Sequence, residues 1–152
     1  MATFKALSRG SQIVLVAGPL LFFSLFFTWQ YVDVNYGRAG IAKLSMDGWD
    51  AWGLLIALLV LAIVVLVALR NFTEGELSDE VPWQAITFGL GAALAAVAVV
   101  KSLTDAGSTW LSYGFVALAL AVAAGTYLDW AATRRRAHPT LARKRRGLRS
   151  AA

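Results

Sequence analysis

The sequence predicts an all-α membrane protein: a four-helix, up-down transmembrane bundle with room for a short β-hairpin in its first outer loop. Three observations predict it. Four apolar runs carry no Asp, Glu, Lys, Arg or His between Ile13 and Thr28, Gly53 and Leu69, Gln84 and Val100, or Leu111 and Leu128. All six tryptophans fall at or near the ends of those runs. The basic residues crowd onto one side of the implied membrane. A chain of 152 residues that is 59% hydrophobic and only 15% charged also departs from soluble domains, which average about 25% charge. It leaves too little polar surface to coat a soluble fold.

A hydrocarbon core about 30 Å thick needs roughly 20 apolar residues of helix. The sequence therefore divides into a cytoplasmic N-terminus (1–11), a first span (12–29), an outer loop (30–50), a second span (51–69), an acidic inner loop (70–82), a third span (83–100), a short outer loop (101–109), a fourth span (110–130) and a basic inner tail (131–152). Trp29, Trp49, Trp52, Trp83, Trp110 and Trp130 are expected as membrane-interface anchors, because indole is apolar with one N–H to satisfy and favours the boundary between lipid and water.

The first span opens like a signal peptide, but "FFSLFFTWQYV" has no small-x-small cleavage site and is expected to be retained. Pro19 lies within it, removes one backbone donor and crowds the carbonyl of Leu15, so a bend is expected there. In the outer loop, Val32, Val34 and Tyr36 alternate with Tyr31, Asp33 and Asn35 ahead of a Gly37–Gly40 turn, a pattern that fits a hairpin. Two strands alone are marginal, so such a hairpin must rest on the helix ends. Asp47 or Asp50 is placed to cap the second helix. Asp33, Asp47 and Asp50 lack the dense oxygen-ligand pattern of a calcium loop, so no metal site is assigned.

The second span is branched and bulky all round, whereas the third and fourth are rich in Gly and Ala. Gly89 with Ala93, Gly91 with Ala95, and Ala92 with Ala96 are small-xxx-small pairs that let helix backbones approach. They predict close packing of helices three and four, within the chain or across a homo-oligomer.

With four spans both termini share one side. That side carries eleven basic residues (Lys5, Arg9, Arg70, Arg134, Arg135, Arg136, Arg143, Lys144, Arg145, Arg146 and Arg149), against Arg38, Lys43 and Lys101 on the other. The positive-inside rule then puts both termini in the cytoplasm of a cell membrane. The eight basic residues from Arg134 to Arg149 are expected to touch anionic lipid headgroups. No aromatic interleaving or folded reader accompanies them, so nucleic-acid binding is not implied.

Catalytic signals are absent. The single histidine, His138, stands beside Pro139 in the tail, no carboxylate pair lies within a span, and there is no cysteine, P-loop, H-E-x-x-H or G-x-S-x-G. Ion-coupled transport usually places an ionisable group near the midplane, and these spans place none there. Asp129, at the inner end of the fourth span, is expected to pair with Arg134.

The order "LSRGSQIVLVAGPLLFFSLFFTW", a polar loop, "GWDAWG", three more spans and a basic end resembles small uncharacterised four-helix integral membrane proteins of actinobacteria and their relatives. That resemblance implies the fold and carries no activity, cofactor or site residue. In architecture the chain is also similar to claudin-like tetraspan proteins, whose paired loop cysteines have no counterpart here. The expectation is a non-enzymatic accessory or assembly-forming subunit acting through helix packing and its outer loop. The alternative is an oligomeric channel or carrier for an apolar or uncharged solute.

Overall fold

A computed structural model describes the backbone of residues 4–35, 41–47, 49–72, 81–104 and 109–149, with side chains for these except 29, 30, 32, 45–47 and 136–149. A 3-10 turn over Phe4–Ala6 leads into α1 (Arg9–Ser24), followed by strands β1 (Thr28–Asn35) and β2 (Ile41–Asp47), then α2 (Ala51–Phe72), α3 (Trp83–Thr104) and α4 (Trp110–Arg149). α2, α3 and the Trp110–Arg135 stretch of α4 are long and apolar enough to cross a membrane. α1, at 16 residues, is shorter.

The first apolar run therefore yields less helix than its hydropathy suggests. Ser8 caps α1 by accepting the N–H of Ser11 at 3.0 Å. At the other end the hydroxyl of Ser24 bonds back to the carbonyl of Leu21, and the backbone tightens into successive i to i−3 bonds, Leu25 to Phe22, Phe26 to Phe23 and Phe27 to Ser24. From Thr28 a β-branched and aromatic run takes over and pairs antiparallel with β2. The register sets Val32 opposite Leu44, Asp33 opposite Lys43 and Val34 opposite Ala42, with an irregularity between Thr28 and Gln30. Trp29 thus lies on a strand rather than at the end of a helix, and its side chain is outside the described residues. So is the expected turn at Gly37–Gly40.

α1 packs against α2 and α4, and α3 packs against the same two, so the helices close into a ring in chain order. Each turns a stripe of buried residues inward at alternating three- and four-residue steps, the spacing of knobs-into-holes packing. In α2 the stripe is Gly53, Ile56, Val60, Ile63 and Val67. In α3 it is Thr87, Gly91, Leu94, Ala98 and Lys101, and in α4 it is Ser112, Phe115, Ala119, Val122, Thr126 and Asp129. Val14 and Leu21 of α1 complete a filled apolar centre. Large apolar side chains point outward as well, among them Leu54, Leu58, Leu61, Val65 and Leu69 of α2. That arrangement suits a helix solvated by lipid.

α4 continues through the basic segment to Arg149 as a single helix of 40 residues. The tail after Trp130, past Pro139, is thus helical in backbone to Arg149. The acidic segment 73–80 lies outside the described residues.

Candidate functional site

The core stripes end in polar groups, and these gather into two clusters, one at each end of the ring. Because a polar group buried without a partner costs free energy, each cluster binds its helices together by hydrogen bonds. Among the described residues no buried side-chain nitrogen or oxygen lacks a partner.

The first cluster joins the start of α1 to the later part of α4. Asp129 is buried. Its Oδ1 accepts from the Ser8 hydroxyl at 2.5 Å and its Oδ2 from the Ser11 hydroxyl at 2.8 Å. The Asn71 amide, at the end of α2, donates to the Val67 carbonyl at 2.7 Å and reaches the Ser11 hydroxyl at 3.4 Å. These contacts are possible because α1 and α4 approach at two glycines. A Cβ built on Gly10 would stand 2.4 Å from the Gly125 carbonyl oxygen and 2.3 Å from Asp129 Oδ1, and one on Gly125 would stand 2.8 Å from the Gly10 carbonyl oxygen.

The expected pairing of Asp129 with Arg134 is corrected by this geometry. The carboxylate turns inward to the serines of α1, while the Arg134 guanidinium lies 4.2 Å from the centroid of the Trp130 ring. Asp129 belongs to the inward stripe of α4, three residues past Thr126, whereas Arg134 is exposed.

The second cluster closes the opposite end. Lys101, expected in an outer loop, is the last buried residue of the α3 stripe. It is 0% exposed and lies 2.6 Å from Asp50 Oδ2, whose side chain is 35% exposed. The other oxygen of Asp50 accepts the Gly53 N–H at 2.7 Å, so Asp50 caps α2, as one of the two expected aspartates. The Asp47 side chain is outside the described residues. Nearby, the Thr109 hydroxyl donates to the Thr28 carbonyl at 3.1 Å and ties the start of α4 to the start of β1.

The tryptophans divide between these ends. Trp49 meets Phe26 edge-on at 5.1 Å and Phe22 at 6.0 Å, and Trp52 and Trp110 are exposed on the same end. Trp130 stacks on Phe88 at 4.8 Å, on the end where Trp83 opens α3.

The small-residue set splits by face. Gly91 is buried against α4, where an added Cβ would come 2.3 Å from Thr126 Oγ1, whereas nothing lies within 4 Å of one on Gly89. Ala95 is half-buried, and Ala92, Ala93 and Ala96 share exposure with Gly89. Close packing of helices three and four within the chain thus involves Gly91, whereas the Gly89–Ala93 and Ala92–Ala96 pairs are exposed among the described residues. Of the tail set, Arg134 and Arg135 are exposed. The side chains of Arg136, Arg143, Lys144, Arg145, Arg146 and Arg149 are outside the described residues.

No family model, curated protein or solved structure matches this chain.

Proposed function

We propose that this is a non-enzymatic integral protein of the cell membrane, with four up-down spans and both termini cytoplasmic, that serves as an accessory or assembly-forming subunit through helix packing and its outer hairpin. The observation that carries the reading is the exposed face of Gly89, Ala92, Ala93 and Ala96 on α3. In lipid, helices associate by van der Waals contact and not by hydrophobic burial, and small residues bring backbones close enough for that contact.

The α3 faces separate two expected results. Gly91→Leu drives a side chain into Thr126 and is expected to lower the thermal stability of the detergent-solubilised monomer by about 1–3 kcal/mol, the usual cost of overpacking. Gly89→Leu or Ala93→Leu alters an exposed position among the described residues, so it should keep that stability and shift the species measured by light scattering to a smaller mass. An unchanged mass for both variants would refute assembly through this face.

Orientation has its own test. Reporter fusions after Ser150 and after Gly107 are expected to report cytoplasm and exterior respectively, from the eleven-to-three distribution of basic residues. Both reporting one side would overturn the four-span reading.

A further inference from the structure

Beside the Ser8–Asp129 contact, the start of α1 and the last apolar turns of α4 flank an open recess of about 540 Å³ lined by Arg9, Tyr127, Leu128, Asp129, Ala132 and Arg135 among others. Two arginines thus line one recess. Arg9 opens α1, and Arg135 follows Leu128 and Ala132 along one face of α4, at steps of four and three residues. The Asp129 carboxylate in the same wall is turned to the hydroxyls of Ser8 and Ser11 and forms no ion pair with either arginine among the described residues. Among the described residues the ion pair formed is Lys101 with Asp50, at the opposite end. Arg9 and Arg135 are exposed and have no carboxylate partner among the described residues. Neighbouring Arg134 is held over Trp130.

We propose that this recess is a binding site for one phosphate ester, held by Arg9 and Arg135, and that its source is the headgroup of an anionic phospholipid in the cytoplasmic leaflet. Guanidinium pairs suit phosphate oxygens because their N–H forks match the anion's geometry. The apolar wall formed by Leu128, Ala131 and Ala132 gives the glycerol and first acyl carbons a surface that a free anion would not use. The site rests on the membrane reading above, and differs from diffuse attraction to the basic tail in being stoichiometric and in depending on Arg9, which is remote from the tail in sequence.

The test is native mass spectrometry of the full-length protein released from detergent after incubation with phosphatidylglycerol or with phosphatidylcholine of the same acyl chains. One phosphatidylglycerol per chain should be retained, and phosphatidylcholine should not. Arg9→Gln and Arg135→Gln should each reduce retention about fivefold, the factor equivalent to one basic residue at an anionic surface. Arg9→Lys should keep most of it. The Arg143→Gln/Arg146→Gln pair should match the unmodified protein. Helical content and melting temperature, measured alongside, should not change, since both arginines are exposed. Undiminished retention by the Arg9→Gln/Arg135→Gln protein overturns the site, and displacement of the lipid by millimolar glycerol 1-phosphate overturns its lipid source. A protein that stays monodisperse without detergent overturns the membrane reading itself, whereas a detergent-dependent protein that retains no phosphatidylglycerol overturns this site alone.

Discussion

Asp50→Ala is expected to destabilise the protein by about 3 kcal/mol, the lower end of the range for breaking a buried ion pair by removing one partner. Lys101 has no exposed surface, and its ammonium lies 2.6 Å from the Asp50 carboxylate. Removing that carboxylate leaves a cation inside the helix ring with less to compensate its desolvation. The lower end applies because Asp50 is itself one-third exposed, so water already shares in solvating the pair. The same substitution removes the acceptor for the Gly53 N–H, an N-cap worth about 1 kcal/mol by itself. Asp50→Asn keeps an oxygen for the cap and separates the two losses. The Asp50→Asn/Lys101→Met combination should recover most of the ion-pair loss, because neutral replacement of both partners removes the buried charge together with its counterion while the Asn oxygen keeps the cap. Unfolding by thermal melt or denaturing detergent measures all three. An Asp50→Ala protein as stable as the original would show that the ammonium does not depend on this carboxylate.

Gly10→Ala is expected to cost about 3 kcal/mol or more, an unusual penalty for one methyl group. The new Cβ would lie 2.4 Å from a backbone oxygen of α4, and backbone cannot rotate aside as a side-chain tip can. Relief requires α1 and α4 to separate. That separation lengthens the bonds from Ser8 and Ser11 to Asp129 and leaves a buried carboxylate short of donors, adding a polar penalty to the steric one. Ser11→Ala, which removes one donor without moving a helix and leaves Asp129 its Ser8 partner, should cost about 1.5 kcal/mol, the lower end for a hydrogen bond to a charged acceptor. Comparable losses for Gly10→Ala and Ser11→Ala in the same melt would refute the close crossing at Gly10 and Gly125.

The apolar runs made α2, α3 and the apolar part of α4 legible, because a span must be uncharged over a fixed length and that requirement is written in composition. The hairpin was legible through its alternation. The end of α1 was not, since hydropathy does not distinguish a helix from a β-branched, aromatic strand, and Phe26 to Val34 satisfies both. Lys101 and Asp129 were misplaced for a different reason. Each was read as an ending, a charge that closes an apolar run, although the step of three from Ala98 to Lys101, or from Thr126 to Asp129, continues the inward stripe. The phase of a residue on its helix, and not its place along the run, would have found them. The separation of Gly91 from Gly89 was open to the same phase argument, but which stripe faces inward depends on neighbours that a single chain does not name.

The brevity of α1 has a mechanical consequence for a chain that crosses a bilayer. At 1.5 Å per residue its 16 residues reach about 24 Å, against about 33 Å for the 22 residues of α2 or α3. The bundle is therefore built of helices of uneven length, shorter along the α1 flank than along α2 and α3. On the membrane reading proposed above, lipid next to α1 would thin, or the bundle would lean, at a cost of fractions of a kcal/mol per Å of mismatch. A membrane deformed on one flank attracts a second body deformed the same way, because facing short flanks shares one thinned patch instead of sustaining two.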